Sequence, residues 1–163
     1  MPGRIEYQAF IKSYDELVNK LITPVSILPV LTIDKALRDD LVEVEALWDT
    51  GAAVTCIKPA LSASLKLQLF DATSHTMLAG IGGKIEARIT LINLFLTPFL
   101  EIEFCPVYVA DFPSSADILI GMDIIGMGDF VICNADNKTS FSFAIPPFPD
   151  RINLAEKAEI ANG

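Results

Sequence analysis

The tripeptide Asp49-Thr50-Gly51 is the part of the sequence whose residue types and order best fit a chemical role. An alternating apolar stretch, residues 41–47, precedes it, and a β-branched stretch, residues 53–57, follows it, so the pattern predicts two strands joined by a sharp turn. This arrangement would hold Asp49 at the tip of the turn, where a carboxylate can accept or donate a proton. The alternative is an ordinary Asx turn, in which the same side chain only caps the hairpin.

Other familiar catalytic groups are scarce in this sequence. His75 is the only histidine and no G-x-S-x-G motif accompanies it, so a histidine-dependent nucleophile would rest on one residue, which we expect at the surface or in a strand. No G-x-x-x-x-G-K-[ST] phosphate-binding loop occurs. Cys56, Cys105 and Cys133 lie far apart in apolar surroundings without a C-x-x-C pair, which predicts buried, reduced thiols and no metal site. Carboxylates are the reactive groups that remain.

Composition limits the class of protein and its partners. The 163 residues are 52% hydrophobic and 20% charged, with a mean hydropathy of +0.45, which predicts one globular domain with apolar surface covered by a partner. The net charge of -9 and the lack of a basic cluster make nucleic acid a poor partner. The longest apolar stretch, residues 89–100, is too short for a membrane helix, and charges among residues 1–16 argue against a signal peptide. We therefore expect a cytoplasmic protein without membrane contact.

Hydrophobic periodicity predicts mostly strands on both sides of the Asp49 turn. The predicted strands are residues 27–33, 41–47, 53–57, 74–79, 84–95, 100–110, 117–121, 130–133 and 140–145. Short helices are predicted at residues 59–67, where Pro59 suits a first helical turn, and at residues 122–127. Along the chain we distinguish residues 1–24, which fit either a helix or a strand, a domain at 25–147 and a polar tail at 148–163.

Three segments, in this order, resemble the retropepsin-like aspartic proteases, the single-domain family that includes the retroviral proteases. They are ALWDTGAAVTCI around Asp49, the glycine-rich Gly80-Ile81-Gly82-Gly83, and DILIGMDIIGMGDF, which contains Ile120 and Gly121. The resemblance covers residues 25–147 and is strongest to stand-alone bacterial members of the family. It implies an all-β fold, a closed β-barrel with a psi-loop and one or two short helices.

The resemblance also implies a role for each matching residue. Asp49 is the expected catalytic residue, Thr50 would cross-link two active-site loops, and Gly51 would let the backbone approach the carboxylate. Ala52 stands where related enzymes often carry a hydroxyl donor, and we therefore expect activity between weakly acidic and neutral pH. Ile120 and Gly121 would support the catalytic loop. A flap over the substrate is expected at Gly80, Ile81, Gly82 and Gly83.

The sequence contains one D-T-G, whereas aspartic catalysis needs two carboxylates that share a proton. We therefore expect a two-fold homodimer in which each chain contributes Asp49, with Phe141, Phe143 and Ile145 as candidates for a sheet between chains. The predicted activity is that of an aspartic endopeptidase, which hydrolyses bonds of a peptide or protein substrate without a cofactor. The alternative is an inactive dimer of the same fold that binds peptides or a partner protein.

The matching segments also contain Trp48 and Asp123. Trp48 departs from the family pattern, since a smaller aliphatic residue is expected before the aspartate. Asp123 is interpreted as an acid at a helix N-terminus and is not predicted to be catalytic.

Overall fold

The computed structural model describes residues 6–30, 41–71, 77–80, 83–86, 88–150 and 152–162. The strands in these ranges are β1 (Gln8–Ser13), β2 (Leu21–Pro29), β3 (Val42–Trp48), β4 (Cys56–Ile57), β5 (Phe70–Asp71), β6 (Met77–Gly80), β7 (Gly83–Glu86), β8 (Arg88–Thr97), β9 (Leu100–Val109), β10 (Ile118–Ile120), β11 (Asp129–Cys133) and β12 (Ser140–Ile145). The helices are α1 (Pro59–Ser64), α2 (Met122–Ile125) and α3 (Leu154–Asn162). Strands dominate, which confirms the predicted all-β class.

Six strands close into a barrel in the order β2-β3-β10-β4-β9-β8, with β8 pairing back to β2 and β5 added to the outside of β8. The strands β3 and β4 follow one another along the chain but are not neighbours in the sheet. β10 lies between them, parallel to β3 and antiparallel to β4. This crossover is the expected psi-loop, and it places the chain between β3 and β4 beside the end of β10.

The barrel is filled by the alternating apolar residues that predicted the strands. In β3, for example, Val44, Ala46 and Trp48 are buried. Glu43 and Glu45, which alternate with them, are exposed. The most completely buried apolar side chains of the barrel include Ile27, Ile57, Ile92, Leu94, Val107, Ile118 and Ile120. Burial of this set fixes the register of the strands, because a shift of one residue would turn each apolar face outward.

A three-stranded sheet in the order β1-β12-β11 packs on the barrel. Its aromatic residues surround Trp48, whose ring stacks on Phe130 with 5.6 Å between centroids and tilts against Phe141 and Phe143. The Trp48 Nε1 atom donates a hydrogen bond of 2.9 Å to Thr23 Oγ1. The large residue before Asp49 is therefore explained by the aromatic cluster that it joins.

This sheet corrects the predicted role of Phe141, Phe143 and Ile145. Their strand, β12, pairs with β1 along one edge and with β11 along the other, so both edges are occupied by the same chain. Phe141 and Phe143 are buried within the chain. The apolar alternation of β12 reflects contact with the chain's own barrel, and the strand is not available for a sheet between chains.

The structure confirms the two predicted helices and the burial of two of the three cysteines. The N-terminal segment, left open between helix and strand, contains β1 and the start of β2. The predicted helices near Pro59 and after Gly121 are present as α1 and α2. Cys56 and Cys105 are buried as expected, but Cys133 is exposed on β11. His75 lies outside the described residues. Within the described ranges, no helix has the length and apolarity needed to cross a membrane.

Candidate active site

Asp49 directly follows β3 and lies in a tight turn that is hydrogen-bonded to its own side chain. The Gly51 amide donates to Asp49 Oδ1 at 2.8 Å, and the Ala52 amide donates to the Asp49 carbonyl at 3.2 Å. A Cβ atom at position 51 would lie 3.1 Å from Asp49 Oδ1, so glycine leaves room for the carboxylate. Asp49 is half-buried, and Thr50 and Gly51 are exposed. The turn therefore fixes the carboxylate while leaving it reachable.

The end of β10 holds this turn from both sides. The Asp49 amide donates to the Ile120 carbonyl at 3.0 Å, and the Met122 amide donates to the Ala52 carbonyl at 2.8 Å. Between these bonds, Gly121 packs so closely that an added Cβ would lie 2.5 Å from the carbonyl carbon and oxygen of Val54. Ile120 and Gly121 thus lie where the family resemblance expects loop support, and their positions explain the apolar residue followed by glycine.

A second contact between the same segments was missed by the sequence analysis. Thr55 is buried, and its hydroxyl donates to Asp123 Oδ1 at 2.7 Å and accepts from the Gly121 amide at 3.1 Å. Asp123 Oδ2 accepts from the Thr55 amide at 2.8 Å. Asp123 also accepts from the Ile124 amide at 2.9 Å, as expected of an acid at the start of α2. Its carboxylate therefore joins the first turn of α2 to the Asp49 loop.

A cleft of about 490 Å³ opens beside Asp49 and Thr50. The cleft is also lined by Ile132, near the end of β11, and by Asn134, which follows that strand. Among the described residues that line this cleft, Asp49 is the one acid. The described part of the chain therefore presents one carboxylate in this cleft, together with an exposed part of β11.

A small apolar cluster, separate from the barrel core, packs against the Asp49 loop. Its buried members are Cys56, Ala110 and Leu119, and the half-buried residues packed on them are Leu47, Ala52, Val54, Tyr108 and Phe112. Burial raises the pKa of the Cys56 thiol to about 11, with Asp123 adding a smaller effect in the same direction. Cys56 is therefore neutral near pH 7 and acts as an apolar packing residue.

The glycine-rich hairpin expected as a flap is described in part. β6 pairs with β7 in antiparallel fashion, and Gly80 lies opposite Gly83 at its end. Ile81 and Gly82 lie outside the described residues. The structure therefore brings Asp49, Thr50, Gly51, Ala52, Ile120 and Gly121 into one loop assembly, and places Gly80 and Gly83 in a separate hairpin.

Comparison with known proteins bears on the identity of this assembly. A family model described as Aspartyl protease matches residues 33–124, more than half of the chain and all of the Asp49 loop. The chain belongs to the aspartyl protease family. No curated protein sequence matches it significantly.

Two solved structures share the fold of this aspartyl protease family member. The EIAV protease in complex with an inhibitor is 24% identical, with a TM-score of 0.50 over 69% of this chain and 90% of that chain. A retropepsin-like aspartic protease from Rickettsia conorii is 14% identical, with a TM-score of 0.50 over 89% of this chain and 98% of that chain. These two structures confirm the predicted retropepsin-like fold, and the family-model match confirms the predicted aspartic protease family.

Proposed function

We propose that the protein is an aspartic endopeptidase that is active as a homodimer, with Asp49 from each chain sharing one site. The observation that carries this proposal is the D-T-G turn itself, which fixes one reachable carboxylate per chain by the Gly51 and Ile120 contacts. Membership of the aspartyl protease family supplies the class of chemistry. Peptide or protein chains are the proposed substrates.

The chemistry requires two carboxylates in contact. When two aspartates lie close together, repulsion between their charges favours a state in which they share a single proton. The charged member can then take a proton from water while the protonated member donates to the carbonyl oxygen of the peptide bond. The described lining of the cleft offers one acid from one chain. We propose that the second carboxylate comes from another copy of the chain.

A two-fold axis beside the Asp49 turn would bring the two copies of this residue together. Thr50 is exposed next to Asp49, which suits the proposed cross-link between the two loops. β11 is an edge strand of the three-stranded sheet. Its residue Ile132 lines the cleft together with Asp49 and is 49% exposed, so β11 reaches the Asp49 turn. We therefore assign the contact between chains to the outer edge of β11, in place of β12.

The hairpin of β6 and β7 is the proposed flap. Its glycines at positions 80 and 83 would allow the hairpin to bend over an extended peptide and to exclude water from the reaction.

Cytoplasmic location remains a prediction, which fractionation of cells that express the protein would check.

The activity is tested by digestion of a peptide library with purified protein, read by mass spectrometry. We expect internal cleavage by the wild type and none by Asp49→Asn, which preserves the size of the side chain and removes its negative charge. Asp150→Asn is the matched control, because it makes the same change at an exposed position in the C-terminal tail. It should retain wild-type activity.

Three outcomes separate the possible functions. Loss of cleavage in Asp49→Asn alone supports the proposal. Cleavage by Asp49→Asn at the wild-type rate would contradict it, because the carboxylate would then be dispensable. Binding of peptides by a wild-type protein that cleaves none of them would instead favour the inactive peptide-binding dimer.

A further inference from the structure

The connection between β1 and β2 forms one side of the cleft beside Asp49. Three consecutive residues of this connection line the cleft together with Asp49, namely Val18, Asn19 and Lys20. Lys20 is exposed, so its ammonium group is reachable. Among the described residues that line the cleft, it is the one basic side chain. A peptide that enters the cleft therefore meets one cation near the candidate catalytic carboxylate.

The pairing of β2 with β3 explains why Lys20 and Asp49 share this cleft. The two strands are antiparallel, and the last pair at this end of the ladder is Leu21 with Trp48. One step beyond this pair, the register brings Lys20 opposite Asp49. Side chains at opposite positions of an antiparallel pair extend to the same face, in agreement with the shared cleft.

Thr139, which is buried, fixes the backbone that leads to Lys20. Its carbonyl accepts a hydrogen bond from the Tyr14 amide at 2.8 Å, and its amide donates to the Glu16 carbonyl at 3.0 Å. Its hydroxyl accepts from the Val18 amide at 3.1 Å. Three hydrogen bonds to one buried residue therefore hold the connection against the end of β12.

Tyr14 joins the two ends of the same connection. Its hydroxyl donates to the Ile22 carbonyl and accepts from the Ile22 amide, each at 2.8 Å. Tyr14 precedes Lys20 along the chain and Ile22 follows it, so these bonds hold the backbone on both sides of the lysine. The fold thus sets the position of Lys20 and leaves its charged group exposed.

We infer that Lys20 is a specificity-determining residue that binds a carboxylate of the substrate, so the site selects peptides with Asp or Glu near the cleaved bond. Apart from Asp49 and Lys20, the described residues that line the cleft are uncharged. An ammonium group attracts a carboxylate over short range, and salt screens charges that lie further away. The net charge of -9 disfavours acidic peptides in general, so the selection is local to the cleft.

This inference rests on the proposed peptidase function and names its substrate class. In the proposed homodimer, the two-fold axis that pairs the Asp49 residues also places one Lys20 on each side of the shared site. The preference for acidic residues should therefore occur on both sides of the cleaved bond.

The test uses pairs of cleaved peptides that are identical except for Glu, Gln or Lys at one position near the cleaved bond. Lys20 is replaced by Met, Arg and Glu in the full-length protein, which removes, keeps and reverses its charge. Lys157 is the matched control and receives the same substitutions, because it is exposed on α3 and does not line the cleft. It changes the net charge of the chain by the same amount.

Wild type should cleave the Glu peptide with a kcat/KM about twofold to fivefold above that of the Gln peptide, the range expected for an exposed ion pair. Added salt should reduce this ratio. Lys20→Met should abolish the preference, Lys20→Arg should keep it, and Lys20→Glu should favour the Lys peptide. The Lys157 variants should behave as wild type. An unchanged ratio in Lys20→Met, or an equal change in the Lys157 variants, would overturn the inference.

A binding measurement examines the same contact without relying on cleavage. Immobilised Asp49→Asn protein is offered two peptide pools that differ only in carrying Glu or Gln, and the retained peptides are identified by mass spectrometry. The Glu pool should be retained preferentially, and this preference should disappear when Lys20→Met is added. Equal retention of the two pools, including retention of neither, would overturn the role of Lys20. If retention depends on Lys20 but wild type cleaves no peptide, the proposed peptidase function fails and the carboxylate-binding role of Lys20 stands.

Discussion

Replacement of Thr55 by valine isolates the contact between α2 and the Asp49 loop. Valine has nearly the same shape as threonine, so packing at this buried position is retained while the hydroxyl is removed. Two hydrogen bonds disappear, the one donated to Asp123 Oδ1 at 2.7 Å and the one accepted from the Gly121 amide at 3.1 Å. Asp123 keeps its bonds from the amides of Thr55 and Ile124, so its carboxylate is not left without partners.

The expected magnitude follows from these two losses. A hydrogen bond to a charged group contributes about 1.5–3 kcal/mol, and a buried amide that loses its acceptor costs about 1–3 kcal/mol. Because the bonds share one hydroxyl, their effects are not independent, and we expect the free energy of unfolding to fall by about 3–5 kcal/mol. For a chain of this size the melting temperature should fall by roughly 6–20 °C.

The assay is thermal unfolding followed by circular dichroism at one protein concentration, since dimer formation would make the melting temperature depend on concentration. Thr55→Ser keeps the hydroxyl and should lose less stability. Thr90→Val is the matched control, because Thr90 is also buried but its hydroxyl makes one bond to a neutral acceptor, the Gln68 carbonyl at 2.8 Å. It should lose about 1 kcal/mol. If Thr55→Val is no less stable than Thr90→Val, the contact does not hold the loop as described.

Three further predictions concern packing, assembly and ionisation. Gly121→Ala places a Cβ 2.5 Å from the Val54 carbonyl in the Asp49 loop. The free energy of unfolding in urea should therefore fall by about 3 kcal/mol. A fall of less than about 1 kcal/mol would contradict this tight packing, because the loop would then be able to move aside. Ile132→Lys, at the proposed contact between chains, should raise the dimer dissociation constant measured by analytical ultracentrifugation. Ile11→Lys, at an exposed position on β1, should leave this constant unchanged. Equal effects of the two substitutions would reject the β11 contact. Burial raises the folded pKa of the Cys56 and Cys105 thiols from 9.0 to about 11 and about 12, so above pH 9 the unfolded chain loses protons that the folded chain keeps. Urea unfolding at pH 8 and pH 10 should therefore show the free energy of unfolding falling with pH, by up to about 1.4 kcal/mol per pH unit for each thiol. An unchanged free energy of unfolding would contradict the effect of burial on the two thiols.

Much of the barrel could be predicted from the sequence because its signals are local. Alternating burial in β3 and the turn at Asp49 both depend on residues close together in the chain. Gly121 was also predictable, since the resemblance matched it, and the structure supplies the reason through its contact with Val54.

Contacts between distant segments could not be predicted in the same way. Thr55 and Asp123 each have an ordinary local explanation, as a strand residue and as an acid at a helix N-terminus. Their hydrogen bond joins positions 68 residues apart. The apolar alternation of Phe141 and Phe143 fits burial against any surface, so it could not distinguish the chain's own barrel from a partner. The prediction that Cys133 is buried was wrong for a related reason. Its apolar sequence neighbours do not reveal that it lies at the end of an edge strand.

The central claim is that two chains share one site, and mixing wild-type with Asp49→Asn chains in equal amounts tests it most directly. Native mass spectrometry of differently tagged chains would confirm complete exchange and unbiased pairing. Random pairing leaves about one quarter of the dimers with two aspartates, so activity should fall to about one quarter of that of wild type at the same total concentration. Independent sites in each chain would retain about one half. Retention of one half would contradict the shared site.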